Sequence, residues 1–158
     1  MKKPETWKPP DEWLKISTID VHAEGEPLRI VVSGFPEPKG KTILDRRRYA
    51  MENLDDLRTA LMGEPRGHAD MYGCLITPPQ TAQADFGILF MHNEGFSTMC
   101  GHGIIGAATA ALETGMIKKI EPETTVKIDT PAGLVTAHAR VARGRVESVR
   151  FHNVPSFL

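Results

Sequence analysis

Residues 100–114 read Cys-Gly-His-Gly-Ile-Ile-Gly-Ala-Ala-Thr-Ala-Ala-Leu-Glu-Thr, small and apolar nearly all round until Glu113. A helix without a polar face cannot lie on a surface, so the rest of the chain must surround it. Gly115 marks its end. Before it, Asp85 to Met91 reads as a strand, with Phe86, Ile88 and Phe90 on one face and Leu89 and Met91 on the other. Such a strand is expected to be buried on both sides. Ser97 or Thr98 is placed to cap the helix that follows. Cys100 then falls in or beside the first turn, where free N–H groups and the positive dipole end favour an anion. A thiol there is expected to titrate below its ordinary value of about 8.5 and to act as a nucleophile or base. Gly101 and Gly103 leave bare backbone that a carboxylate can approach.

Two other readings compete for this stretch. A free cysteine is commonly just a small core residue, although a packed Cys does not need the Gly-His-Gly that follows Cys100. Residues 101–106 also match G-x-G-x-x-G, the dinucleotide fingerprint. That fingerprint needs its first Gly in a tight turn directly after a strand, within a compact βαβ unit. Here a loop separates Met91 from Gly101, and hairpins follow the helix. The context argues against a nucleotide.

Elsewhere the pattern is mixed. Leu14 to His22 reads as a strand, Glu24 to Pro27 as a turn and Leu28 to Ser33 as the partner strand. Met51, Leu54, Leu57 and Leu61 recur at helical spacing, predicting one helix from Asp45, its expected N-cap, to Met62, with Gly63 at its end. Residues 64–70 form a loop, most simply a solvated one, although its Arg, His and Asp can also order a site wall. Met71 to Thr77 is a strand joined to the next by the turn Pro78 to Thr81. Val126 and Ile128, then Val135, Ala137, Ala139 and Val141, alternate as half-buried strands do. Arg143-Gly144 is a hairpin turn, after which Val149 and Phe151 continue the alternation. The order is α+β in character: a curled sheet or barrel around one buried helix. Residues 1–12, rich in Pro and Lys, read as a loose arm before a domain over 13–158.

Net charge is −1 with no long block of one sign, so neither nucleic acid nor a membrane is an expected partner. The one basic run, Arg46 to Arg48, reads as a solvated helix face. Cys74 and Cys100 make neither a disulfide framework nor a C-x-x-C pair, and Cys100 to His102 is too close a spacing for a zinc pair. No signal peptide or membrane-length apolar run is evident, so the expected compartment is the cytoplasm.

With these residues in hand, the chain resembles the proline racemase family, which includes hydroxyproline epimerases and trans-3-hydroxyproline dehydratases. The matching motifs are Ile19 to Pro27, Glu64 to Met71, Met99-Cys100-Gly101-His102, Asp129 to Val135 and the closing Asn153 to Leu158. The resemblance implies a diaminopimelate-epimerase-like fold of two pseudo-symmetric halves, each a strand barrel around a helix, with the substrate between them. It implies no cofactor. On this pattern Cys100 is one acid/base at the Cα of proline or a hydroxyproline. Gly101 and His102 would give N–H groups to the carboxylate, and the His102 side chain would approach the ring nitrogen. Tyr72 matches a pocket aromatic that is Phe in proline racemases, and Asn93 to Thr98 resembles the dehydratase branch. The second half should bring a second Cys, or Thr or Ser in dehydratases. Cys74, in mid-strand, is no substitute, so the chain is expected to be an N-terminal half working with a second domain or as a homodimer. The expectation from another class is a catalytically inactive domain acting as a binding or assembly module.

Overall fold

The computed structural model describes residues 7–155. Seven strands form one sheet in chain order: β1 (Ser17–Ala23), β2 (Glu26–Ser33), β3 (Tyr72–Thr77), β4 (Phe86–His92), β5 (Glu123–Thr130), β6 (Gly133–Ala142) and β7 (Arg145–His152). All neighbours are antiparallel except β2–β3 and β4–β5. A parallel join needs a crossover, and these two joins are where the helices sit. Helices α1 (Ile43–Asn53) and α2 (Asp55–Met62) bridge β2 to β3, and α3 (Gly101–Glu113) bridges β4 to β5. The sheet curls around α3 without closing, so of the curled sheet or barrel expected it is the curled sheet, with β1 and β7 as its edges among the described residues.

Helix α3 is the centre the sequence demands. Ile104, Ala107, Ala108, Ala111 and Leu112 pack with Leu28, Ile30, Phe86, Ile88, Phe90, Val126, Ile128, Val135, Ala137 and Ala139. Its small residues allow close approach. A β-carbon on Gly106 would stand 2.9 Å from Leu28 and 3.1 Å from Val21 on the first hairpin. Strand β4 is buried on both faces, as its sequence requires. Leu89 and Met91 point away from α3 into a second cluster with Ile43, Ala50, Leu61, Met62, Met71 and Phe96. The hairpin turns fall at Glu24-Gly25 and Arg143-Gly144, all four with positive φ.

Several expectations need correction. The helix over 45–62 is two helices, broken at Leu54 (φ −130, ψ 13). The N-cap is Thr42, not Asp45: Thr42 Oγ1 accepts the Asp45 N–H and Asp45 returns the bond to the Thr42 N–H. The first strand starts at Ser17, leaving Leu14 exposed. Arg46 and Arg47 are not a solvated face, because they donate to the carbonyls of Pro78 and Phe96. In the 64–70 loop the side chains are indeed mostly exposed. Its backbone is pinned, however, with Arg29 donating to the carbonyls of Leu61 and Arg66 and bracing Asp20 in turn. Of the arm expected over 1–12, residues 1–6 lie outside the described residues, as do the last three of the Asn153 to Leu158 motif. Residues 7–12 carry no strand or helix.

Candidate active site

Strand β4 delivers the chain to His92, and a loop of eight residues, 93–100, leads into α3. Cys100 is itself the N-cap residue, in extended backbone at φ −149 and ψ 113. No side chain caps the helix, so Ser97 and Thr98 do not play the part expected of them. Thr98 is exposed, while the Ser97 hydroxyl is buried with no hydrogen-bond partner among the described residues. The leading N–H groups of an α-helix lack intrahelical acceptors. Here their positive end lies beside a thiol.

Cys100 is 7% exposed. Its sulfur lies 3.4 Å from Nδ1 and 3.8 Å from Nε2 of His102, and it accepts the backbone N–H of Gly103. Burial pushes the thiol up to about 11; the Gly103 N–H works against this, and the Glu26 carboxylate adds to it. The expectation of a lowered value is therefore corrected. Withdrawal of water disfavours the thiolate by more than the helix end favours it. Gly103 also differs from its expected role. It is buried against Phe90, whose ring would stand 2.6 Å from a β-carbon there. Gly101 remains half-buried, with the Phe151 ring 3.3 Å from where a β-carbon would be.

Tyr72 and His102 are brought together with Cys100, their rings meeting edge to face at 5.0 Å. Tyr72 also stacks on His92 at 5.3 Å, its direct cross-strand partner on β4. Beyond this aromatic pair a cleft of about 420 Å³ is lined by Asp70, Met71, Tyr72, His92, Asn93 and Glu94. Tyr72 and His92 line this cleft, and Cys100 does not. Sequence reasoning passed over His92 and Glu26. Pairing the two strands in register would have set His92 opposite Tyr72; nothing in the sequence alone places Glu26 near Cys100. The Asp129 motif does not join the site. Asp129 is buried and accepts the Gln80 and Thr81 N–H groups, tying down the β3–β4 connection. Cys74 lies wholly buried on β3, its thiol pushed up by burial. Among the described residues no group of three or more His, Cys, Asp or Glu could hold a metal, and no helix is long and apolar enough to cross a membrane.

A family model described as proline racemase matches residues 18–158. The chain is 60% identical over 142 residues to a trans-3-hydroxy-L-proline dehydratase of Bacillus thuringiensis subsp. konkukian, covering 90% of this chain and 42% of that protein. It is 52% identical over 143 residues to the proline racemase of Acetoanaerobium sticklandii, covering 90% of this chain and 43% of that one. Among solved structures it resembles a hydroxyproline epimerase from Agrobacterium vitis with bound trans-4-hydroxy-L-proline, at a TM-score of 0.85 and 35% identity, over 90% of this chain and 42% of that one. The chain thus spans about two fifths of the length of these relatives.

Proposed function

The chain belongs to the proline racemase family, and on that premise we propose that it carries one side of a cofactor-independent site for moving the Cα proton of proline or a hydroxyproline. The observation that supports this most is a thiol at the N-cap of α3 with an imidazole 3.4 Å away. The substrate carboxylate would sit on the N–H groups of Gly101 and His102, where a developing enolate charge is stabilised. Tyr72 would wall the ring. At rest the thiol keeps its proton, which makes Cys100 ready to act as the acid. To act as the base it would first pass that proton to His102. It would then take the proton from Cα, leaving the bonding pair delocalised into the carboxylate.

Racemisation or epimerisation needs a second acid to return a proton to the opposite face. Among the described residues Cys74 does not qualify, being sealed in the core. The second group would come from a further domain or a second copy of the chain. Dehydration is the equal alternative, favoured by the 60% identical dehydratase. In that reaction Cα loses its proton, the pair forms a Cα–Cβ double bond, and the Cβ hydroxyl leaves as water once protonated. A chimera carrying residues 18–155 in place of the matching segment of that dehydratase tests the reading. Turnover of trans-3-hydroxy-L-proline or epimerisation of proline derivatives, abolished by Cys100→Ser, is the expected result. A folded chimera equally active with Ser at 100 would overturn it.

A further inference from the structure

We infer that Arg58 and Arg47, from the helices on the far side of β4, are positioning residues that hold the loop presenting Cys100. Arg58 is only 6% exposed, a position on α2 where an apolar side chain would be expected. A buried charge persists only when paired and hydrogen-bonded. Arg58 meets that condition completely, since all five guanidinium donors are used. Nε and Nη2 grip the two oxygens of Asp55 at 2.6 and 2.9 Å, and Nη2 also reaches Thr59 Oγ1 at 3.0 Å. Nη1 donates to the carbonyls of His92 at 2.8 Å and Asn93 at 2.6 Å. From α1, Arg47 adds Nε to the Phe96 carbonyl at 3.0 Å, joined there by its Nη2.

Three carbonyls between residues 92 and 96 are therefore held by two arginines. The Asn93 side chain extends the tie, donating at 2.9 Å to the carbonyls of both Met62 and His68. The loop supplies little of its own: the reciprocal bonds between His92 and Gly95, and the Glu94 N–H donating to Nδ1 of His92. Four residues after Phe96 the chain reaches Cys100. The break at Leu54 belongs to the same device, because it puts Asp55 in the first turn of α2, one turn before Arg58. Any role in catalysis rests on the proposed part of Cys100; the grip itself does not.

The test uses the 158-residue chain with Cys74→Ala, leaving one thiol, and adds Arg47→Lys or Arg58→Lys. Lysine keeps the charge and loses the fork. Arg150→Lys, an exposed partner of Glu123 across the sheet, is the control. The readouts are the pH profile of iodoacetamide labelling at Cys100 and circular dichroism. Both loop variants should stay folded. Their labelling midpoint should fall from about 11 toward the ordinary thiol value of about 8.5. Labelling at pH 8 should quicken about tenfold or more, while the control matches the parent. Profiles that superimpose on the parent would overturn the inference. So would loss of the fold in both lysine variants, since the arginines would then act in general stability. An unmoved profile leaves the proline chemistry standing, whereas a chimera indifferent to Cys100→Ser removes that chemistry and leaves the arginine grip.

Discussion

The sulfur of Cys100 and Nδ1 of His102 lie 3.4 Å apart although only one residue separates them in the chain. The extended N-cap and the first helical turn fold the two side chains onto each other, so the thiol meets a proton acceptor within its own motif. His102→Gln would remove that acceptor. In the chimera described above, kcat should fall about 10²-fold or more, the range of a lost general acid–base partner. KM should change little, because the backbone N–H groups remain. An unchanged kcat would show that the imidazole takes no part in the proton's path.

Alkaline stability follows from the same thiol. Its folded value, about 11, lies above an unfolded value of about 8.5. The unfolded chain therefore releases the proton first. Stability from this group is full below about pH 8.5 and is lost as pH rises through about 11. Cys100→Ser should flatten that loss. Urea midpoints of parent and variant at pH 7.5 and pH 10.5 measure it, and equal alkaline losses would contradict it.

Asp55 behaves in the opposite sense. Its hydrogen bonds from Arg58 hold the carboxyl below the usual range, with burial opposing and the guanidinium charge assisting. Stability from a carboxyl held low is present above its unfolded value and lost as pH falls through the lower folded one. Asp55→Asn should lower stability near neutral pH and shrink the difference between pH 7 and pH 3. Urea titration at the two pH values reads it directly.

Gly103→Ala should destabilise the fold by about 1–3 kcal/mol, the usual cost of overpacking. The added methyl meets the ring of Phe90, which is fully buried and cannot swing aside. Gly101→Ala should cost less, as the nearest atom is the tip of the half-buried Phe151 ring at 3.3 Å. Denaturant unfolding of the pair gives the comparison, and equal costs would show that the Phe90 contact is not what fixes position 103.

Tyr72 offers a test of selectivity. Tyr72→Phe keeps the stack on His92 and the edge contact with His102 while removing the hydroxyl. In the chimera it should shift the ratio of kcat/KM for hydroxylated against plain proline by about tenfold, the worth of one hydrogen bond of about 1.4 kcal/mol. Tyr72→Leu loses the ring as well and should lower both. A ratio that stays fixed in the Phe variant would remove the hydroxyl from substrate discrimination.

The centre of this molecule was readable because one physical constraint left a single solution. A helix of Ala, Gly and Ile has no face for water, and β4 has none either, so both had to be inside. The break at Leu54 was hidden because the apolar spacing runs straight through it, and the Arg58 contact it accompanies is with a loop dozens of residues away. The raised thiol was hidden for a related reason. Position at a helix start is a local property, whereas dryness depends on Phe90, Gly103 and the strands around them.

The linear order of the sheet bears on how the chain is assembled as it is made. Every strand lies beside the one that precedes it, so most pairings close over short stretches of sequence. The exceptions are the two parallel joins, held in register by only three and two residue pairs. Contacts between distant segments are what slow a folding chain. The hairpins β1–β2, β3–β4 and β5–β6–β7 can form as each emerges during synthesis. The slow steps expected from this topology are the two parallel joins, and the segment bearing Cys100 lies within one of them.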